Sequence, residues 1–348
     1  MGFIGRLKKS FISLCVFVSV VLLCVVSFVP SIHAETNAVA EKSPDVKNSP
    51  RASSSEKAAD PNNPSKNVDE AAADPNELPE EDDDDFAPRL STYIKLNEAF
   101  KNIFNPELIT DQGLVDYGTL RRKRHDLIHA EKALKRLNPA VVWALSKEET
   151  IAFWINTYNV CTLQLVIEHY PIEPKLYMIF YPDNSIMQIS GNWRTKEFFD
   201  IQRQEYTLQE IEWNFLLDAY KDPRIIFALS YASLGGAILR NEPYTAEKLD
   251  QQLDDQVRKY LQSPHGLRFD KEDNILYLSN LFTMHNHREL FLDSKYADIL
   301  KFRNRAPDER AWLNFIWNYI SPEDRQYLET ASPAIRFMKY DWHLNEKP

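Results

Sequence analysis

The chain has 348 residues, with 51 acidic and 41 basic side chains and a formal net charge of −10. The net charge is +3 over residues 1–34, −10 over residues 35–85 and −3 over the remainder. The chain is 44% hydrophobic and 12% aromatic, as a packed domain requires. The nearly neutral remainder lacks the basic surplus expected of a nucleic-acid-binding protein, so that class is excluded.

The N-terminus has the three parts of an export signal. Basic residues among the first nine precede an uncharged apolar run over residues 11–29, and a short Ser-Ile-His-Ala stretch ends at Ala34. This pattern predicts a signal peptide over residues 1–34. The length of this apolar run is close to that of a membrane-spanning helix, which has about 18 to 20 residues. An uncleaved anchor therefore stays open as an alternative. We therefore expect an exported protein that is periplasmic or secreted, or else anchored to the membrane by residues 11–29.

Residues 35–86 are rich in Ala, Ser, Pro, Asn, Asp and Glu and end in the acidic run EEDDDD. Such a composition buries too little apolar surface to offset the conformational entropy of the chain. The segment is predicted to be a disordered acidic linker, and we interpret the acidic run as a solvated tether and not as a docking or calcium-binding patch. Once residues 1–34 are removed, Cys161 is the one remaining cysteine, so no internal disulfide is expected.

Residues 87–348 are predicted to form one domain. Helices are expected over residues 91–104 and 120–135, and Ser146 and Glu149 have the spacing of a capping box. A long helix begins there and ends before Pro171, with apolar side chains on nearly all sides, as in a buried central helix.

Two asparagines, Asn156 and Asn159, lie side by side on this central helix because they are three residues apart. A buried carboxamide must form hydrogen bonds. Either they tie the helix to the backbone of neighbouring loops, or they shape a polar pocket that faces the loop at residues 230–240.

The segment after Pro171 predicts short strands near residues 176–181 and 186–189 and a helix near 208–219. Residues 222–262 then predict a strand-loop-helix unit. Five apolar residues from Ile225 to Leu229 suit a buried strand, a small-residue loop follows, and a helix with apolar residues every four positions opens near Thr245.

The remaining sequence predicts a hairpin between residues 267–269 and 275–279, three helices near residues 288–293, 308–319 and 323–330, and a last strand at residues 335–339. The predicted fold class is therefore α+β: a single mixed domain with a central buried helix and a partly antiparallel sheet.

The chain also resembles a known family. Separate blocks occur in the right order between residues 108 and 344, and the signature segment is DPRI-x-FAL, a loop, and LRNEPYTAEKLDQQLDDQ. The other blocks are VDYGTL (115–120), FWINTYN (153–159), YPDNSIMQISGNW (181–193), YTLQEIEWNFL (206–216) and YDWHLN (340–345). Together they are similar to the bacterial and plant family called domain of unknown function 547.

The signature loop departs from the family's pattern. The resemblance implies a His and two Cys residues in this region, where this chain has Ile226, Tyr231 and Gly236. A cysteine nucleophile needs a thiolate, which an adjacent His usually provides. If those groups are catalytic in relatives, this chain lacks them, and we predict no catalytic residue.

Several polar residues remain as candidates for a site. Arg224 and Glu242 match charged positions of the signature, and Ser233 keeps a loop hydroxyl. An Arg beside a buried strand favours a structural ion pair over anion recognition. The candidate pocket therefore consists of Asn156, Asn159, Arg224, Ser233 and Glu242.

Two histidines and the cysteine are weaker candidates. His285 and His287 form a His-x-His pair without a third ligand, and we interpret them as exposed loop residues. Cys161 lies among apolar helix residues and is expected to be a small core residue. We predict neither a metal site nor a cofactor.

These observations favour a non-catalytic binding or scaffolding module of the cell envelope, with an unknown envelope or extracellular partner. Nucleic acid is not expected as a partner, and the membrane is expected as one only through an uncleaved N-terminal anchor. The alternative is a hydrolase or acyl transferase that uses residues around the 230–240 loop.

Overall fold

The computed structural model describes residues 83–190 and 192–348. The predicted signal peptide lies outside the described residues, as does nearly all of the predicted linker. The α-helices are α1 (Asp83–Ile103), α2 (Tyr117–Arg122), α3 (His125–Arg136), α4 (Pro139–Trp143), α5 (Lys147–His169), α6 (Trp193–Lys196), α7 (Leu208–Glu212), α8 (Asp218–Tyr220), α9 (Leu249–Gln262), α10 (His287–Leu292), α11 (Lys295–Asp298), α12 (Pro307–Ile316) and α13 (Pro322–Ala331). The strands are β1 (Phe198–Ile201), β2 (Gln204–Thr207), β3 (Leu267–Asp270), β4 (Ile275–Leu278) and β5 (Ala334–Phe337).

Helix α5 is the central helix that the sequence predicts. Ser146 Oγ accepts a hydrogen bond from Glu149 N, and Glu149 Oε2 accepts one from Ser146 N, which completes the capping box. Almost every residue from Ile151 to Ile167 is buried, whichever side of the helix it lies on. In the described part of the chain α5 alone has the length and composition of a membrane span, and 89% of its most apolar window is buried inside the domain.

Helix α1 begins at Asp83, eight residues before the predicted start, so the last residues assigned to the linker are helical. Helix α1 packs against α3, and its buried side, which includes Leu96 and Phe100, joins the same core as α5.

The strands form two small sheets. Strands β1 and β2 make an antiparallel hairpin, and β3, β4 and β5 make a sheet in which β4 pairs antiparallel with β3 and parallel with β5. The predicted hairpin and last strand are thereby confirmed. The predicted α+β class with a partly antiparallel sheet is confirmed as well.

Three predicted strand regions are wrong. Residues 176–181 form successive tight turns, and Ile186–Gln188 is a 3-10 helix. The apolar run Ile225–Leu229 is not a strand either, since Pro223–Phe227 forms a 3-10 helix, and the amide of Arg224 in its first turn donates to the side chain of Asp222. A short apolar run is compatible with burial in either form, and here a Pro at the first turn favours the helical one.

Candidate functional site

The carboxamides of α5 bind the backbone of the signature segment at two places. Asn156 Nδ2 donates to Tyr244 O, and Tyr244 N donates to Asn156 Oδ1, both at 2.9 Å. Asn159 Nδ2 donates to Ala228 O at 2.9 Å, and Ser230 N donates to Asn159 Oδ1 at 2.8 Å. Each carboxamide satisfies one backbone carbonyl and one backbone amide that secondary structure leaves unpaired. Together the two asparagines hold both ends of the signature loop against the central helix.

Asn156 also lines a cavity of about 220 Å³. The cavity lies between α1 and the segment after Tyr244, and Tyr93 and Phe153 form part of its apolar wall. The carboxamide of Asn156 is already engaged on both of its ends by the Tyr244 backbone.

Arg224 is enclosed by three carboxylates. Its guanidinium donates to Asp222 at 2.8 to 3.1 Å, to Asp250 at 2.7 Å and to Asp254 at 3.0 Å. Burial lowers the pKa of Arg224, but the hydrogen bonds and charges of these carboxylates outweigh burial and raise the pKa above its ordinary value. This geometry is that of a structural ion pair, because the carboxylates occupy the donors that an anion would need.

Glu242 lies in the loop before α9 and belongs to a second group of polar and charged side chains, which includes residues of that helix. Its carboxylate accepts hydrogen bonds from Arg240 at 2.8 and 3.0 Å and from Gln252 at 3.1 Å, while Arg240 also donates to Asp255 at 2.6 Å. Burial raises the pKa of Glu242, but the hydrogen bond from Arg240 leads the effects that lower it below the ordinary value.

Ser233 is buried beneath the C-terminal segment at residues 340–345. Ser233 Oγ lies 2.8 Å from Tyr340 Oη, and Leu234 N and Gly235 N donate to backbone carbonyls of that segment. An added Cβ at Gly235 would lie 2.6 Å from Asp341 N, so the close approach of the two backbones requires a glycine there. The C-terminal segment therefore covers the signature loop.

The five predicted pocket residues thus lie in separate settings. Asn156 and Asn159 clamp backbone to α5, Arg224 and Glu242 join different acidic and basic groups along α9, and Ser233 lies under the C-terminal segment.

A buried charged cluster, which the sequence analysis missed, surrounds Glu212. This residue ends α7 and has no exposed surface. Its Oε2 accepts a hydrogen bond from Arg194 at 2.5 Å, and its Oε1 accepts one from Tyr231 Oη at 2.7 Å. His287 Nε2 lies 3.0 Å from the same Oε1, and Tyr158 Oη lies 3.5 Å from Oε2. We call these five residues the Glu212 cluster.

The cluster contains a carboxylate held in its ionised form. Burial raises the pKa of Glu212, but the Arg194 charge and then the His287 contact outweigh burial and bring the pKa below its ordinary value. His287 Nδ1 lies 2.6 Å from Leu281 O, so a carbonyl faces one ring nitrogen and a carboxylate faces the other.

The expectation that both histidines are exposed is wrong. His287 is fully buried, and His285 is partly buried with its ring edge-on to Tyr231 at 5.4 Å between centroids. Backbone φ angles of 55° at His285 and 66° at Asn286 turn the chain inward, so the pair does not lie on an extended segment. Burial, followed by the charge of Arg194, lowers the pKa of His285 to about 3.

Cys161 is buried as predicted. Burial, with smaller contributions from Glu131 and Glu168, raises the pKa of its thiol above the ordinary value. A thiol in this state is a poor nucleophile at neutral pH. Among the described residues no group of three or more His, Cys, Asp or Glu side chains has a metal-binding arrangement.

One signal in the sequence did point to the Glu212 cluster. Glu212 follows Leu208 by four residues on the predicted helix, which places a carboxylate on the apolar face. A carboxylate in that position needs a buried cation, and Arg194 next to Trp193 supplies it. The second partner, His287, is 75 residues away, and no local pattern indicates that contact.

The cluster combines a carboxylate, an imidazole and a hydroxyl, which are groups that acyl-transfer enzymes use. Here the hydroxyl of Tyr231 donates directly to the carboxylate, and burial together with the charge of Glu212 raises the pKa of Tyr231 well above its ordinary value. All the members of the cluster are buried. The arrangement neutralises and orients buried groups and holds α5, α7 and the signature loop together.

Fold and site together define an α+β domain. Its signature segment is bound to a central helix, and an internal ion-pair cluster lies next to that segment. Residues 142–261 match the family model described as Protein of unknown function, DUF547, and the family predicted from the sequence is confirmed by this match. The matched residues run from the end of α4 through α9. No curated protein and no solved structure matches the chain.

Proposed function

We propose that this chain is an exported, non-catalytic binding or scaffolding module of the cell envelope. In this proposal residues 1–34 direct export, residues 35–86 separate the domain from the point of export, and the domain from residue 87 onward interacts with an envelope or extracellular partner. The signature segment serves as the structural centre of the domain.

The observation that carries the proposal is the burial of the candidate catalytic groups in and beside the signature loop. All four of these side chains are buried: Ser233, Tyr231, Glu212 and His287. Their hydroxyl, carboxylate and imidazole groups each form a polar contact with another side chain of the domain. A hydrolase needs a nucleophile that a substrate can approach to about 3 to 3.5 Å. A binding module needs only that these groups hold the fold.

One observation favours the alternative of a hydrolase or acyl transferase. The contact between Glu212 and His287 resembles the orienting half of a catalytic triad, and the hydroxyl of Tyr231 lies beside it. For this alternative the C-terminal segment at residues 340–345 would have to move away from the loop.

The experiment is to purify the exported chain and to determine its N-terminus by mass spectrometry. The same sample is incubated with a fluorophosphonate probe and with p-nitrophenyl esters, and the matched variants are Ser233→Ala and Tyr231→Phe. We expect an N-terminus at Glu35, no labelled residue and no turnover above a heat-treated control. Turnover or labelling that Ser233→Ala abolishes without a change in melting temperature would establish the enzyme alternative.

A further inference from the structure

A loop at residues 176–181 exposes four large apolar side chains. Leu176 is 95% exposed, Tyr177 72%, Ile179 74% and Phe180 89%. Side chains this exposed have almost no neighbours, so they stand out from the domain and do not line a groove. Monomeric proteins rarely expose several adjoining large apolar side chains unless they bind something. We call residues 176–181 the apolar loop.

The base of the apolar loop is fixed by one buried carboxamide. Gln188 Nε2 donates to the carbonyls of Met178 and Pro182 at 3.2 and 3.1 Å, and Gln188 Oε1 accepts from Lys175 N at 2.8 Å. Two successive turns, closed by hydrogen bonds from Met178 N to Lys175 O and from Tyr181 N to Met178 O, set the backbone between these points. These hydrogen bonds fix the backbone of the apolar loop and hold its apolar side chains outward. Because the backbone is already ordered, less conformational entropy is lost on binding.

The chemistry around the apolar loop fits a lipid surface. At its base the partly buried ring of Tyr181 lies edge-on to Trp342, at 6.1 Å between centroids. Tyr and Trp concentrate at the level of lipid headgroups, behind side chains that enter the acyl region. The charged residues of the surrounding sequence are Glu173, Lys175 and Asp183, which give no basic cluster for anionic lipids.

In the alternative in which residues 11–29 stay in the membrane as an anchor, the chain that follows them keeps the domain near that membrane. About fifty residues lie between the uncharged run at residues 11–29 and α1, and an extended chain of that length reaches at most roughly 180 Å. One apolar insertion gives weak and reversible membrane binding, and a second attachment strengthens it by raising the local concentration.

We propose that the apolar loop inserts Leu176, Tyr177, Ile179 and Phe180 into the outer face of the lipid bilayer across which the chain is exported. This inference rests on the proposed export and names the surface that the module binds. Because the contact is apolar, it depends little on lipid charge and on salt.

The test uses the exported chain and a label in the apolar loop. Ile179→Cys is labelled with the environment-sensitive fluorophore NBD, in a chain with Cys15 and Cys24 replaced by Ala if the N-terminal segment is retained. The matched control is Trp143→Cys, at a position that is 82% exposed and lies on α4. Vesicles are phosphatidylcholine alone, or phosphatidylcholine with 30% phosphatidylglycerol, each with and without lipids brominated in the acyl chains.

We expect NBD at position 179 to shift to shorter wavelength and to be quenched by brominated lipid, equally in both vesicle types and at high salt. NBD at position 143 should stay unchanged. In an unlabelled chain Phe180→Ser should weaken vesicle binding about tenfold, equivalent to about 1.4 kcal/mol, whereas Trp143→Ser should not weaken it. The melting temperature should be the same in both variants.

An NBD signal at position 179 that ignores both kinds of vesicle would overturn the proposal, as would binding that requires phosphatidylglycerol or disappears at high salt. Either result leaves the proposed non-catalytic function standing. Labelling of Ser233 by a fluorophosphonate would reject that function without affecting the lipid contact, so the two failures are distinguishable.

Discussion

Replacing Glu212 by Gln tests whether the Glu212 cluster supports the fold. The substitution keeps the shape of the side chain but removes its negative charge. The Arg194 guanidinium, whose side chain is 8% exposed, then loses its counterion and faces an amide group at 2.5 Å. Removal of one partner from a buried ion pair typically costs about 3 to 5 kcal/mol, because the other charge is left buried and unpaired.

The measurement is urea unfolding of the exported chain followed by circular dichroism. With a denaturant slope of about 3 kcal/mol per M, the midpoint should fall by roughly 1 to 1.7 M. The matched control is Glu329→Gln, which removes a surface ion pair with Lys301 at 2.7 Å. Exposed pairs contribute below about 1 kcal/mol, so the control should shift the midpoint by less than about 0.3 M.

A double-mutant cycle isolates the pair itself. Arg194→Met combined with Glu212→Gln should cost less than the sum of the single changes by about 2 kcal/mol or more, because the double variant leaves no unpaired charge between them. If Glu212→Gln shifted the midpoint no further than Glu329→Gln, the inference that this cluster stabilises the domain would be refuted.

Three more predictions concern single side chains. Asn159→Leu should lower the free energy of unfolding by about 1 to 3 kcal/mol in a urea titration, because it leaves a backbone carbonyl and a backbone amide of the signature loop unpaired. The control Asn241→Leu, which removes a surface hydrogen bond to Asp111, should change the free energy of unfolding little. Because the pKa of His285 falls from 6.5 to about 3 on folding, the unfolded chain binds a proton below about pH 6.5 that the folded chain does not bind. The free energy of unfolding should therefore decrease below that pH by up to about 1.4 kcal/mol per pH unit. The substitution His285→Asn should reduce this slope between pH 5 and 6.5, and an unchanged slope would contradict the lowered pKa of His285. In a chain that begins at Glu35, iodoacetamide should alkylate Cys161 only at the rate of unfolding, and rapid stoichiometric alkylation seen by mass spectrometry would show an accessible thiol.

Local signals in the sequence were sufficient for much of the fold. The capping box at Ser146 and the apolar residues around α5 depend on contacts within a few residues, so the central helix begins where it was predicted. The hairpin of β3 and β4 also follows from two short strand patterns and the turn between them. The positions of Asn156 and Asn159 on the central helix follow from their spacing.

Other features depend on contacts distant in sequence and could not be predicted locally. The run from Ile225 to Leu229 is buried whether it forms a strand or a 3-10 helix, so its hydrophobicity does not distinguish the two. The apolar loop at residues 176–181 has the composition of a strand, but Gln188 holds its backbone in turns. His287 is buried because the left-handed backbone at His285 turns it toward Glu212.

The most direct test of the central claim is native-state hydrogen exchange of the signature loop, measured by mass spectrometry on the wild-type chain. We infer that this loop is a closed structural centre, because Asn159 binds its backbone on one side and residues 340–345 cover it on the other. Backbone amides at residues 228–236 should then exchange as slowly as those in the middle of α5, with the free energy of global unfolding. Exchange at residues 228–236 that is orders of magnitude faster than in α5 would contradict the account, because it would reveal a loop that opens in the native state as a substrate-admitting active site does.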